Sequence, residues 1–155
     1  MAQLPSSVES LFTAAGWRRS ARPDTESLPG ASAQTRAAAI IEEYGGLRVG
    51  SIGPGRDLGA SDVRFYASAR PDVATAVEAW SSLGEMAAIA AAHNDHMLIF
   101  VSGAGDFYAF TEPDGKLYLI GHSFAEAVER VLLGINYGPS IQATPNTSLE
   151  RTREG

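Results

Sequence analysis

With 155 residues, the chain is long enough for one domain with a substantial core, and its composition, 45% hydrophobic and 19% charged, is that of an ordinary globular protein. No apolar run approaches the roughly 18 residues that a membrane-spanning helix needs, which argues against a membrane protein. There is no cysteine, so disulfides, thiol nucleophiles and thiolate metal sites are excluded.

The formal net charge of -6 comes almost entirely from the second half of the chain. Residues 71–138 contain nine acidic residues but only Lys116 and Arg130, whereas residues 1–70 are nearly neutral. An acidic surface repels the phosphate backbone of nucleic acids, so we expect no direct nucleic-acid binding and favour a basic protein as the partner. The chain does not open with a basic stretch followed by an apolar one, so we expect no secretory signal and a cytoplasmic location.

Four segments are predicted to be amphipathic α-helices, because each has apolar residues at the i, i+3, i+4, i+7 spacing that lines one helix face. They cover residues 8–15, 37–44, 73–80 and 124–132. Each is followed by a glycine that can close the last turn with a positive φ, namely Gly16, Gly45, Gly84 and Gly134. The first and last helices also match a reciprocal capping box at their starts, formed by Ser6 with Glu9 and by Ser123 with Glu126.

The stretch TAAGWRRSARPD, residues 13–24, combines Trp17 with three arginines. A nucleic-acid patch would need more basic residues nearby, but acidic residues follow instead. Gly16 ends the first helix and Trp17 is large enough to cover its apolar face, so we expect Trp17 to be largely buried. The pattern gives no role to Arg18 and Arg19.

A glycine-rich stretch separates two short predicted strands, residues 47–50 and 63–67. The glycines of GSIGPGRDLG, residues 50–59, resemble those of a nucleotide-binding loop. A dinucleotide fingerprint would need its third glycine where Leu58 stands, with a helix starting there, and the sequence meets neither condition. We therefore interpret the stretch as a mobile loop between strands.

The segment EMAAIAAAH, residues 85–93, is ambiguous, because alanine favours a helix whereas the preceding glycine and the following Asn-Asp turn favour a strand. Directly after it, HNDH could offer His93, Asp95 and His96 to a metal. A catalytic zinc would need a further distant ligand, and Asn-Asp between two strands is explained by a turn. We expect no metal, no cofactor and no catalytic residue.

Three apolar and aromatic runs follow, HMLIFV, DFYAF and KLYLI. The turn formers SGAGD and TEPDGK separate them, and loops of this length join antiparallel neighbours. The sequence therefore predicts a three-stranded antiparallel meander.

The last residues differ in composition from the rest of the chain. Residues 139–155 combine Pro, Ser, Thr and alternating charges without periodicity, which is typical of a flexible tail. No internal repeat is visible. We predict a single domain over residues 1–138 and a flexible C-terminal tail over residues 139–155.

Several motifs, in this order, resemble the third subfamily of SUKH immunity proteins, which is related to the Smi1/Knr4 fold. They are AAGW followed by an arginine, EEYGGLRV, RPDVATAVEAW leading to LGEM, and SFAEAVERVLLG, and the resemblance covers residues 4–135. Its most specific positions are Gly16, Trp17, Tyr44, Gly45, Gly46 and Gly134. The resemblance implies an α+β fold, with a central, largely antiparallel sheet of five or six strands flanked by about four helices. Its order of elements favours a strand for residues 85–93.

The resemblance also implies a function, the neutralisation of a cognate polymorphic toxin of bacteria by tight, stoichiometric binding without catalysis. The acidic second half of the chain would suit a basic, nuclease-like toxin domain. Four of its acids fall at predicted turns and strand ends, and we expect them to bind the partner from one shared rim. They are Asp95, Asp106, Glu112 and Asp114. Tyr108 and Tyr118 are candidates for exposed aromatic anchors.

Two alternatives stay open. One is a binding or scaffold module of the Smi1/Knr4 type whose partner is not a toxin. The other is a small enzyme or ligand-binding domain that uses His93, Asp95 and His96, or the glycine-rich loop.

Overall fold

An antiparallel sheet of six strands forms the centre of the protein in the computed structural model, which describes residues 4–18, 30–57, 59–112 and 114–143. In chain order the strands are β1 (Arg48–Val49), β2 (Gly53–Pro54), β3 (Gly59–Ala60), β4 (Val63–Phe65), β5 (Met86–Ala92), β6 (Met97–Ser102), β7 (Phe107–Thr111) and β8 (Lys116–Gly121). The six-stranded sheet has the order β1-β4-β5-β6-β7-β8, while β2 and β3 form a separate ladder. Every neighbouring pair is antiparallel. The predicted α+β class, the meander and the strand over residues 85–93 are confirmed.

Within the described residues, four helical segments accompany the sheet: α1 (Ser6–Ala14), α2 (Ala33–Tyr44), a 3-10 segment (Pro71–Leu83) and α3 (Phe124–Leu133). The prediction of an α-helix over residues 73–80 is wrong in type, because this segment is a 3-10 helix with non-helical angles at Val77 and Trp80. Both of these side chains are buried in the core beneath the segment. As far as the described residues go, no helix is long and apolar enough to cross a membrane.

The two predicted capping boxes have different outcomes. Ser123 caps α3 as predicted, because its Oγ accepts the Glu126 backbone N–H at 3.1 Å. The Glu126 carboxylate accepts the His122 N–H at 2.7 Å, one residue before the cap. The box at α1 is wrong: the capping position is Pro5 and not Ser6, so no serine side chain stands there, and the Pro5 carbonyl accepts the N–H groups of Val8 and Glu9.

The sheet buries side chains on both faces. Along β6, Ile99 and Val101 belong to the core that the three α-helices cover, and Phe100 between them belongs to a second core on the other face. This alternation is expected, because successive strand residues point to opposite faces. The first core contains a cluster of four aromatic rings, those of Phe12, Tyr44, Phe65 and Phe124. Their centroids lie 4.8 to 6.4 Å apart. The second core lies beneath the 3-10 segment.

Trp17 packs against the edge of the first core. Its ring meets Phe12 edge-on with the centroids 6.4 Å apart, and its Nε1 donates a hydrogen bond to the Glu43 carboxylate at 2.9 Å. The side chain is half-buried, less than the near-complete burial that we expected. One side of the indole is packed while its N–H stays near the surface, as is common for tryptophan.

The glycine-rich loop is fixed to the end of α3. Its β2 and β3 pair as a short ladder, and between them the N–H groups of Arg56 and Asp57 donate to the carbonyls of Leu133 and Gly134, both at 2.8 Å. Helix C-termini leave such carbonyls without intrahelical partners. The N–H groups of the loop therefore bond to the end of α3, whereas those of a phosphate-binding loop would point at a ligand.

The chain remains attached to the sheet beyond residue 138, where the flexible tail was expected to begin. Ile141 N–H donates to the Leu117 carbonyl at 2.7 Å on the outer edge of β8, and the Ile141 carbonyl accepts Trp80 Nε1–H at 2.8 Å. Residues 144–155, the rest of the predicted tail, lie outside the described residues, as does Arg19.

The corner after α2 gives the first prediction. Gly45 has a φ of -55°, and the positive φ expected there falls on Gly46 instead, at 84°. A Cβ on Gly45 would nonetheless press against the Ile41 carbonyl oxygen and come within 3.0 Å of the Tyr66 carbonyl oxygen. We expect Gly45→Ala to lower the free energy of unfolding by about 1–3 kcal/mol, because backbone atoms cannot move aside easily.

Gly53→Ala is the matched control for this substitution. A Cβ there meets no atom within 4 Å, so we expect a change of less than about 0.5 kcal/mol. Urea unfolding of both variants measures the difference, and equal stabilities would contradict the packing of this corner.

Candidate partner-binding surface

Two turns at one end of the sheet form a continuous exposed surface, which we call the turn surface. It consists of residues 93–96, between β5 and β6, and residues 112 and 114–115, between β7 and β8. The Glu112 N–H donates to the His96 carbonyl at 2.8 Å and so joins the two turns. Three of the four predicted acids, Asp95, Glu112 and Asp114, lie here and are exposed.

The turn between β5 and β6 has an uncommon backbone. His93, Asn94 and Asp95 have φ values of 53°, 53° and 67°, which places three successive residues in the left-handed region. His, Asn and Asp are the residue types other than glycine that occupy this region most readily. The turn is closed by a hydrogen bond from His96 N–H to the His93 carbonyl at 3.1 Å. Such a conformation persists only when the surrounding structure holds it.

The group that holds this turn is Asp62, immediately before β4. Its carboxylate accepts the Asn94 backbone N–H at 3.2 Å and Arg48 Nε–H at 3.2 Å. Its own carbonyl accepts the His93 N–H at 3.2 Å. The side chain is only 8% exposed, while that of Arg48 is 59% exposed. Ser61, also buried, places its Oγ 3.4 Å from His93 Nδ1.

Sequence reasoning missed Asp62. The only signal available was a single acid directly before a short apolar strand, in SDVRF. Its importance depends on the register in which Val63 pairs with Ala92, because that register puts Asp62 beside the turn that follows Ala92. Pairing register is not readable from this stretch alone.

The carboxylates of the turn surface differ in how far their charge is offset. Asp95 accepts a hydrogen bond from Arg64 Nη2 at 2.9 Å, in an exposed ion pair. Asp114 accepts a hydrogen bond from the neutral Thr111 hydroxyl at 2.6 Å. Within the described part of the chain, neither Asp114 nor Glu112 is paired with a cation. The uncompensated negative charge therefore lies on the second turn.

Asp106 lies at the opposite end of the sheet, so the expectation of one rim for all four acids is wrong. Successive turns of an antiparallel meander alternate between the two ends, and Asp106 belongs to the turn between β6 and β7. Its Oδ1 lies 2.8 Å from His122 Nδ1. This hydrogen bond and the negative charge of Asp106 raise the pKa of His122 above its ordinary value.

The two tyrosines proposed as exposed anchors also differ. Tyr108 is buried in the second core, because its strand position faces the 3-10 segment, so its prediction as an exposed anchor is wrong. Tyr118 is half-buried, with its ring centroid 5.8 Å from that of Tyr137. Burial raises the pKa of Tyr137 to about 12.

The metal alternative finds no support in the geometry. In residues 4–18, 30–57, 59–112 and 114–143, no three His, Asp or Glu side chains converge as metal ligands would. His93 faces the Ser61 hydroxyl and Asp95 faces Arg64. The HNDH stretch thus forms a turn, as its turn-forming residues indicate.

In a comparison with protein families, residues 4–134 match the family model described as SUKH-3 immunity protein. The matched region contains the whole six-stranded sheet and all four helical segments. Searches of curated proteins and of solved structures give no significant match.

The support that Asp62 gives to the turn can be tested by substitution. We expect Asp62→Ala to lower the free energy of unfolding by about 1–3 kcal/mol, because it leaves the Asn94 N–H and Arg48 without their acceptor. Asp62→Asn keeps an oxygen that can accept the Asn94 N–H, so we expect a smaller decrease in the free energy of unfolding. Urea unfolding measures the stability of both variants, and hydrogen exchange measures the protection of the Asn94 amide. If the Asn94 amide exchanges no faster in Asp62→Ala than in the unsubstituted protein, Asp62 does not hold this turn.

The pair of His122 and Asp106 predicts a pH dependence. The folded state binds the His122 proton more tightly than the unfolded state does. The stabilisation is therefore complete below the unfolded pKa of about 6.5 and is lost as pH rises through the higher folded pKa. In an NMR titration, Asp106→Asn should lower the pKa of His122. An unchanged pKa would show that the carboxylate is not its cause.

Proposed function

Because the chain belongs to the SUKH-3 immunity protein family, we propose that it binds a toxin encoded beside it and blocks the toxin stoichiometrically, without chemistry. We infer that the toxin is a basic, nuclease-like domain and that the complex forms in the cytoplasm of the cell that makes both proteins. The observation that carries the choice of binding surface is the turn surface, where the turn held by Asp62 lies beside the exposed carboxylates of Glu112 and Asp114.

Charge supports a basic toxin as the partner. A nuclease domain binds phosphates with lysine and arginine side chains. Glu112 and Asp114 offer carboxylates to the same side chains, and they are exposed and not paired with a cation in the described residues. The net charge of -6 adds a long-range attraction that accelerates association at low salt.

The fixed backbone of the turn supports tight binding. Ordering a loop on binding costs free energy, and a loop that is already ordered avoids that cost. Asp62 holds the left-handed turn in the free protein. The backbone that carries the exposed side chains of His93, Asn94 and Asp95 is therefore already in place before a partner binds. Such polar groups add specificity, because a wrong partner would leave them desolvated and unpaired.

A growth assay with purified-protein titration tests the function. Co-expression with the adjacent toxin gene should restore growth, and toxin activity in vitro should fall to zero at one molecule of this protein per toxin. Inhibition at far lower ratios would indicate an enzyme that modifies the toxin, and an unprotected cell with no complex would overturn the proposal.

A charge reversal tests the surface. We expect Glu112→Lys to slow association with the toxin roughly tenfold at low salt, since a rim charge acts mainly on the association rate. Glu78→Lys makes the same charge change on the exposed side of the 3-10 segment and should have an effect of less than about threefold. Stopped-flow kinetics at two salt concentrations measures both, and equal slowing by the two variants would argue for general charge attraction without a turn-surface contact.

A further inference from the structure

The first half of β5 is an open edge inside the sheet. On the β6 side every residue except Ile89, which lies at a register shift, is paired, but on the other side β4 covers only Ala90–Ala92. The last hydrogen bond on this side joins Tyr66 N–H to the Ile89 carbonyl at 3.0 Å. Met86, Ala87 and Ala88 therefore have no strand neighbour on that side among the described residues. An unpaired edge is a template for another extended chain.

A groove of about 450 Å³ runs along this open edge. The groove exists because the chain turns away from β5 after Tyr66 and begins the 3-10 segment at Pro71. The 3-10 segment covers one face of the sheet and α2 covers the other, so the space beside β5 between them is left unfilled. Ala37 and Ala38 of α2 form one wall, and Ala74 of the 3-10 segment contributes to the other. The three unpaired residues span about 10 Å at the usual strand rise. The alanines of both walls leave room for a backbone to reach the edge, and Gln34 and Arg70 also line the groove.

The far edge of the sheet shows how this protein covers an edge elsewhere. There, Ile141 returns to pair with Leu117 of β8. Proteins commonly cover or charge their exposed strand edges to prevent unwanted pairing. At Met86–Ala88 no strand is paired to this edge within the described residues, although Met86 and Ala88 are themselves buried.

Charge at the groove identifies the kind of segment that fits. Arg70 and Asp72 offset each other through two hydrogen bonds of 3.1 and 3.0 Å. Glu85, directly before the open edge, is exposed and has no charged partner in the described part of the chain. The groove therefore presents one uncompensated negative charge beside an apolar channel.

We propose that this groove binds an extended segment of the toxin by strand addition. The segment pairs its backbone with Met86–Ala88, places a small apolar side chain between the alanine walls, and sets a lysine or arginine against Glu85. The groove and the turn surface lie at opposite ends of β5, whose seven residues span about 23 Å. A toxin that covers the turn surface can reach the groove with a flanking extended segment. This inference rests on the proposed function.

Hydrogen exchange of the complex with the adjacent toxin tests the pairing directly. We expect the amide exchange of residues 86–88 to slow at least tenfold on toxin binding. Filling the groove tests it independently: Ala38→Trp places an indole in the channel from an exposed position on α2, and it should weaken toxin binding at least tenfold. Ala79→Trp, at an exposed alanine outside the groove, is the control and should weaken it less than twofold.

The outcomes separate this inference from the proposed function. If the toxin does not bind at all, the proposed function fails and takes the inference with it. If the toxin binds and inhibits normally but residues 86–88 exchange as in the free protein and both tryptophan variants bind equally, only the groove inference is overturned. If the free protein is a dimer that Ala38→Trp dissociates, the occupant is a second copy, and the proposed toxin segment is wrong. Melting temperatures of both variants establish that each is folded.

Discussion

The structure depends on one unusual strand. β5 consists of Met86, an isoleucine and five alanines, and it is covered on both faces, by α2 on one side and by the 3-10 segment on the other. Alanine has the strongest intrinsic preference for helix, but that preference is a weak term that tertiary contacts override. Small side chains on this strand let both covering layers approach the sheet closely, whereas the neighbouring β6 fills the same two cores with larger residues. The alanines are therefore explained by where the strand lies.

The same strand positions both binding surfaces. At its end, the register of Val63 opposite Ala92 brings Asp62 to the left-handed turn and lets one carboxylate hold the Asn94 N–H. At its start, the early departure of the chain after Tyr66 leaves Met86–Ala88 open. A shift of one residue in the pairing of β4 would exchange the two faces of that strand, so a register fixed by core packing also fixes the turn.

Much of the fold was readable from the sequence because periodicity reports directly on burial. The i, i+3, i+4, i+7 patterns located α1, α2 and α3, and the alternation of turn formers with aromatic runs located the meander. The 3-10 segment was misread because residues three apart, such as Val77 and Trp80, lie on one face in both helix types, so both are buried in either case. The two types differ in their backbone hydrogen bonds and angles, which apolar spacing does not report. The family resemblance, and not the local pattern, decided that residues 85–93 form a strand.

The site was less predictable, because it depends on which residues meet in space. Counting acids along the chain placed Asp106 with Asp95, but the alternation of turns in a meander separates them. Nothing in the sequence shows that Ile141 would return to β8 or that Asp62 would accept a hydrogen bond from a turn residue 32 positions later. An open strand edge is equally hard to predict from the sequence. It arises here because β4 has three residues and its neighbour β5 has seven, and the sequence does not show that the two strands pair.

Pairing of charges within the fold changes how the net charge should be interpreted. Asp62, Asp72, Asp95 and Glu126 each have an arginine partner, and Asp106 has His122. The attraction for a basic partner therefore comes from a smaller set of unpaired carboxylates, and the positions of that set matter more than its total. Glu112 and Asp114 lie at one end of the sheet and Glu85 at the other. Because the two ends are about one strand length apart, a partner must place its basic groups at a matching separation to engage both. This geometric requirement gives specificity that a uniformly acidic surface would lack, since any basic protein could bind the latter.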